Sequence, residues 1–263
     1  MYGTFDAPND YRNYLQHHGV KGQKWGVKNG PPYPIQKISK KRVQEKYKNY
    51  IPIKDRPHKD YNLDKWGTSK DTNVLWVTGI SGSGKSTIAK ELANKNNADI
   101  INLDLYTFKT ADKYTKDMSK SFNAYLNKKV PNWKTMQKEA YEVLTKTDRR
   151  GKGKQAAGKW FDTIEAAIID YGRLMYGEKK VVAEGVQILD ETLFYNNKQA
   201  LKNQPVIVMN TSVDDSILSR MYRDNITDIN KQFSPERIKQ MESWQKDLDY
   251  LINTMGNIRM KDI

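Results

Sequence analysis

A chain of 263 residues with 45 Lys and Arg, 31 Asp and Glu and no cysteine has room for one α/β domain with an appendage, or for two small domains. The missing cysteines exclude disulfides, thiolate metal sites and cysteine nucleophiles, and no apolar run approaches the roughly 20 residues that cross a bilayer. The formal charge of +14 favours polyanionic partners: nucleotides, nucleic acid or an anionic surface. Met1-Tyr-Gly-Thr-Phe-Asp6 lacks the basic-then-apolar order of a secretory signal. A soluble protein of the cytoplasm is expected, with no membrane partner.

In chain order, residues 1–35 read as irregular, because glycines recur among polar residues and Pro31-Pro32-Tyr33-Pro34 imposes extended backbone. Residues 36–50 carry a short basic helical pattern with Ile38, Val43 and Tyr47, and Pro52 and Pro57 then interrupt regular structure. Residues 1–70 hold 15 Lys and Arg against 6 Asp and Glu, so they read as a basic arm. It is either a solubilising extension or a contact for nucleic acid, and no base-reading motif decides between the two. The domain proper is expected over 71–263.

At Val74 the texture changes. Val74–Thr78 is a β-rich apolar run that ends at a glycine, as a buried parallel strand does. A helix is expected from Lys85 to about Lys95, and further strands at 99–103, 180–184 and 205–209. Strands alternating with helices imply an α/β fold, a doubly wound parallel sheet of the P-loop NTPase type. A helical insertion over about 110–177 separates the second and third strands. Its apolar stripes run through Met118, Phe122, Tyr125 and Leu126, then Trp133, Met136, Ala140 and Leu144, then Trp160, Ile164, Ala167, Tyr171 and Leu174. Asp148–Lys154 is a glycine-rich basic loop, a solvated connection or an anion site. Ser234-Pro235-Glu236 opens a last packing helix that ends at Gly256.

The chemistry concentrates at Gly79-Ile80-Ser81-Gly82-Ser83-Gly84-Lys85-Ser86-Thr87, a complete G-x-x-x-x-G-K-[ST] between a strand and a helix. The glycines let the backbone curl, so that successive N–H groups converge on phosphate oxygens, and the helix dipole faces the same anion. Lys85 would reach the β- and γ-phosphates of ATP or GTP, and the Ser86 hydroxyl would ligate Mg²⁺. Asp104 follows the second strand at the sheet edge where ligands bind. It is either a general base for an attacking hydroxyl or a capping aspartate. Glu184 ends the third strand, where a carboxylate faces the metal, holds substrate or pairs at the edge. Arg220 and Arg223 share a helix face and would close over the triphosphate, or else pair with Asp215 and Asp224.

Residues 74–225 resemble the P-loop kinases of the adenylate-kinase-like group, nearest in pattern to polynucleotide kinases, zeta-toxin-type kinases and uridine-kinase-like enzymes. The resemblance rests on Val77–Lys90, Asn102-Leu-Asp104, Val182-Ala-Glu-Gly185 and Arg220-x-x-Arg223-Asp224. It implies that Asp104 is the base. Those families commonly carry an arginine three residues after that aspartate, where this chain has Thr107, with Lys109 close by. His17–Val27 and Asn29–Pro34 resemble a segment that recurs near the start of head-associated proteins of phages. It implies a phage-encoded protein, in the host cytoplasm or carried in the virion, with head proteins as partners of residues 1–35. Two functions are thus expected as alternatives. One is a kinase acting on a nucleoside, nucleotide, nucleotide sugar or polynucleotide 5′ end; the other is an assembly protein whose P-loop binds nucleotide without transfer.

Overall fold

β-Branched and aromatic residues make Val74–Gly79 the first strand, β1, and all six of its residues are buried. The structure is a computed structural model. It describes residues 40–52, 61, 63–107, 109–146, 152–186, 204–229, 233–235, 237–239, 241–243, 245 and 258–262, which belong to one compact unit beginning at Lys40. The expectations for 1–35, Ile38, 148–151 and the end of the last helix at Gly256 lie outside the described residues.

The elements, in order, are α1 (Lys40–Tyr47), β1, α2 (Lys85–Lys95), β2 (Asp99–Asn102), α3 (Asp104–Thr107), α4 (Ala111–Tyr114), α5 (Lys120–Lys129), α6 (Trp133–Lys146), α7 (Lys152–Met175), β3 (Val181–Glu184), β4 (Val206–Asn210), α8 (Val213–Arg223) and β5 (Ile258–Asp262). Helical residues recur between 235 and 245. The strands form one sheet in the order β2-β3-β1-β4-β5, and every pairing is parallel. The fold is α/β, of the P-loop NTPase type. Four of the strands fall where the sequence reading puts them, and β5 is an additional edge strand beside β4.

The two sheet faces follow from the alternation of side chains along a strand. Leu75 and Val77 pack with Val182, Ile207 and Met209 under Ile88, Ala89 and Leu92 of α2. Val74 and Trp76 face the other way, into a larger core shared with Tyr106, Phe122, Trp133, Trp160, Ile164, Ile168 and Tyr171. The insertion is therefore the second covering layer of the sheet. Among the described side chains its apolar stripes are buried from Met118 to Ala140 and from Trp160 to Tyr171, apart from the partly buried Tyr125 and Met136, whereas Leu174 at the end of α7 is 63% exposed.

Polar side chains lock the insertion in place. The Ser121 hydroxyl donates to Asp99 Oδ2 at 2.5 Å, Tyr171 donates to the same oxygen, and Lys179 Nζ lies 2.9 Å from Asp99 Oδ1. Burial alone would raise the pKa of Asp99, but these three donors outweigh it and leave the carboxyl below its ordinary range. Asn73 donates to the carbonyls of Gly172 at 2.7 Å and Lys179 at 2.9 Å. A Cβ on Gly172 would run into Val74 Cγ2, so a glycine is what allows α7 to approach β1.

α1 packs on α8 and on the chain that leaves it. Val43 is fully buried, and Lys46 Nζ reaches Asp214 Oδ2 at 3.7 Å. The Gln44 amide donates to the Thr227 carbonyl and accepts from the Ile229 N–H. Tyr50 meets Tyr222 with ring centroids 5.9 Å apart.

Candidate active site

The parallel register brings the carboxyl ends of three strands to one edge. Val77 is level with Glu184, and Glu184 is level with Asn102. Asp104 follows β2 by two residues, and the P-loop leaves β1 at Gly79. The Thr78 hydroxyl donates to the Gly185 carbonyl at 2.9 Å, and the Leu103 N–H donates to the Glu184 carbonyl at 2.9 Å. These bonds tie the three strand ends together. All thirteen expected site residues lie within the described chain, and most share this edge.

Gly82 and Gly84 have φ of 93° and 86°, a region that glycine enters without the penalty a Cβ imposes. Gly84 is the N-cap of α2, so the amides of Lys85 and Ser86 lie in the first turn, where a helix supplies no acceptor. Between them, Ile80 and Ser83 close a turn, with the Ser83 N–H donating to the Ile80 carbonyl at 3.1 Å. A Cβ on Gly82 would strike the Ser216 carbonyl and sit 2.8 Å from Arg220 Cγ. The P-loop is thus seated against α8. Thr211 adds to that seat by donating to the Ser83 carbonyl at 3.2 Å.

Lys85 is 6% exposed. Ser86 donates from Oγ to Glu184 Oε1 at 3.1 Å. Glu184 is 1% exposed, and its second oxygen, Oε2, has no hydrogen-bond partner. Burial raises its pKa to about 6, Lys85 opposes the rise and the nearby Asp104 adds to it. An orphaned buried carboxylate oxygen beside a serine hydroxyl is a donor set suited to Mg²⁺, which takes one or two protein oxygens and completes its shell with phosphate and water. Asp104 itself is half-buried at the start of α3. Its N–H is held by Asn102 Oδ1 at 2.9 Å.

The two arginines of α8 are separated by their surroundings. Arg223 is engaged with Asp224, Nε to Oδ1 at 2.8 Å and Nη2 to Oδ2 at 3.3 Å. Arg220 runs over Gly82 instead, and its Nε and Nη1 are buried without hydrogen-bond partners. Burial lowers its pKa, and Arg237 and Arg223 push the same way. Arg237 and Phe233, which faces the Arg220 guanidinium at 5.2 Å, are neighbours the sequence reading does not identify. Arg237 comes from the segment that reads there only as a packing helix, and Phe233 stands one residue before it.

The helical insertion builds the wall next to Asp104. Gln137, 1% exposed, donates to the carbonyls of Leu105 and Lys109 and accepts from the Ala111 N–H at 3.0 Å. Trp160 Nε1 donates to the Tyr106 carbonyl at 2.7 Å. Backbone groups of Leu105, Tyr106, Lys109 and Ala111 are held by these two side chains, and Lys109 Nζ rests 4.5 Å over the Tyr114 ring. No cluster of three or more His, Cys, Asp or Glu occurs among the described residues. No described helix is long and apolar enough to cross a membrane.

A family model described as Nephrocystin 3, N-terminal matches residues 58–176. This stretch carries the P-loop, Asp104 and most of the insertion. A second model, a family of unknown function (DUF7211), matches residues 8–32. No curated protein matches the chain. Among solved structures, TT1252 from Thermus thermophilus is 14% identical, with 72% of this chain and 88% of that chain covered and a TM-score of 0.38. The parallel sheet order and the glycine geometry of residues 79–87 by themselves give the chain the outline of a P-loop NTPase-type fold.

Proposed function

We propose that the protein is a P-loop phosphotransferase that moves the γ-phosphoryl group of ATP or GTP to a hydroxyl acceptor. The observation that carries this reading is the meeting of Ser86 with a buried, half-orphaned Glu184 beside Lys85. Phosphoryl transfer depends largely on positioning and charge neutralisation, and these groups supply both. The P-loop amides and Lys85 cradle the phosphates. Ser86 and Glu184 would hold Mg²⁺, which screens charge on the phosphate oxygens when bound. Asp104 takes the proton of the acceptor hydroxyl while its oxygen bonds to the γ-phosphorus. The bond from that phosphorus to the β–γ bridging oxygen breaks, and the nucleoside diphosphate leaves. Arg220 donates to the oxygens that gain charge.

The acceptor class is a nucleoside, nucleotide, nucleotide sugar or polynucleotide 5′ end, in keeping with the basic charge. Incubation with γ-labelled ATP, Mg²⁺ and each of these acceptors tests the reading. Label is expected on one class of acceptor, and tight ATP binding with no labelled acceptor overturns transfer.

We propose a second role for the N-terminal segment on its resemblance to segments of phage head-associated proteins; residues 8–32 are matched separately by a family of unknown function. In this role it docks a phage head protein, and the chain is carried in the virion. Removing residues 1–35 is expected to abolish virion incorporation and to leave ATP binding intact.

A further inference from the structure

Arg220 presents a physical problem. Its guanidinium has two buried nitrogens without acceptors, and the adjacent carboxylate of Asp224 is gripped by Arg223. Arg237 and Arg223 add like charge around it, which Asp224 offsets only in part. A desolvated cation in that setting should swing out to water. It stays over Gly82 nonetheless, with its Cγ close to where a Gly82 Cβ would stand.

We propose that Phe233 is a positioning residue that holds the Arg220 guanidinium over the P-loop, ready for the terminal phosphate oxygens of a nucleoside triphosphate. The proposal rests on the nucleotide reading of the site. The ring centroid lies 5.2 Å from Arg220 Cζ, within the distance of about 6 Å at which an aromatic face attracts a cation. Such a contact satisfies charge without occupying an N–H. The unpartnered nitrogens therefore hold no carboxylate that a phosphate would first have to displace.

The ring is itself well anchored. Phe233 is fully buried, and its N–H donates to the Ile229 carbonyl at 3.0 Å. The Ile229 N–H in turn donates to Gln44 Oε1 of α1. The guanidinium is thus set before nucleotide arrives, and less ordering remains to oppose binding.

The test measures ATP affinity of the full chain with Mg²⁺ for four proteins: wild type, Phe233→Leu, Arg220→Ala and the double variant. A fifth protein carries a trifluorinated phenylalanine at 233, which keeps the ring's shape and removes most of its negative face. Phe233→Leu and the fluorinated ring are each expected to weaken ATP about 3- to 10-fold. Phe233→Leu should add nothing on the Arg220→Ala background. The fluorinated protein keeps the measurement decisive if the leucine variant does not fold. Wild-type affinity in the fluorinated protein overturns the proposal. So does a loss from Phe233→Leu that is undiminished when Arg220 is already alanine. No ATP binding by the wild type overturns the nucleotide reading and this proposal together. Normal binding with no phosphorylated acceptor overturns only transfer, and the effects on affinity remain as stated.

Discussion

The Ser86 hydroxyl donates to Glu184 Oε1 across 3.1 Å and so joins the first turn of α2 to the end of β3. This bond satisfies one oxygen of a fully buried carboxylate and leaves the other without a partner. The site therefore carries an unfavourable charge in the absence of nucleotide and metal. Such a group stabilises a cation more than it stabilises the fold.

Glu184→Gln should make the nucleotide-free protein more stable and its nucleotide binding independent of Mg²⁺. Burial raises Glu184 to about 6, above the ordinary carboxyl value. Its protonated form is thus preferred in the folded state, and stability is greatest below pH 4.5 as far as this group is concerned. It falls as pH rises through about 6, by roughly 1–2 kcal/mol. Thermal melts of both proteins between pH 4.5 and 7.5 should show this slope in the wild type and not in the variant.

Asp104→Ala should slow phosphoryl transfer about 10²- to 10⁴-fold, the usual contribution of a positioned general base. ATP affinity should stay within about threefold, because the proposed role of Asp104 is towards the acceptor and not in the P-loop cradle. Single-turnover transfer and equilibrium binding on the same preparations separate the two quantities. A parallel loss in both would make Asp104 a structural cap.

Gly82→Ala should destabilise the protein by at least about 1–3 kcal/mol and abolish tight ATP binding. The backbone there has φ of 93°, and the new methyl would meet the Ser216 carbonyl. That neighbour is backbone and cannot rotate away. Chemical denaturation and ATP titration read the two effects independently.

Asp99→Asn should cost about 1–3 kcal/mol at neutral pH, as hydrogen bonds to a charged group do. The donors from Ser121, Tyr171 and Lys179 hold the Asp99 carboxyl below its ordinary value. Its contribution is therefore present above the unfolded value near 3.9 and is lost as pH falls through the lower folded one. The gap between wild type and variant in denaturant unfolding should narrow as pH falls below the ordinary carboxyl value.

Gly172→Ala should destabilise by a similar amount, about 1–3 kcal/mol, for a different reason. The added methyl meets Val74 Cγ2 and pushes α7 off β1. ATP affinity of the folded fraction should not change, since the nucleotide edge lies at the other end of β1. Urea melts and ATP titration of this variant, set beside those of Gly82→Ala, distinguish packing from site damage.

The elements that were legible in the sequence are those whose signals are local. β1 reads as a continuous apolar run because both of its faces are covered, and α2 begins at Lys85 because Gly84 supplies the left-handed cap. Glu184 and Asp104 could be placed at one edge, since parallel strands align their carboxyl ends. β5 was not legible: Ile258-Arg-Met-Lys-Asp262 is short and polar, and only its pairing with β4 makes it a strand. The division of labour between Arg220 and Arg223 was equally hidden. Their spacing puts both on one face, but the choice is made by Asp224, which takes Arg223, and by Phe233, ten residues beyond. Gln137 gave no signal, since a glutamine within an amphipathic helix normally faces solvent. Here it is turned inward to hold three backbone groups.

The attachment of α1 to α8 determines how the protein can be trimmed. A truncation beginning at residue 71 would strip Val43 from its socket and Trp66 from the layer beneath α2. It would also leave Asp214, 4% exposed, without the Lys46 ammonium, and remove the Gln44 side chain from the turn that leads to Phe233. A fragment that keeps α1 retains all of these contacts. The smallest fragment that keeps this packing therefore includes the end of the basic arm, and its first turn is the one that carries Val43.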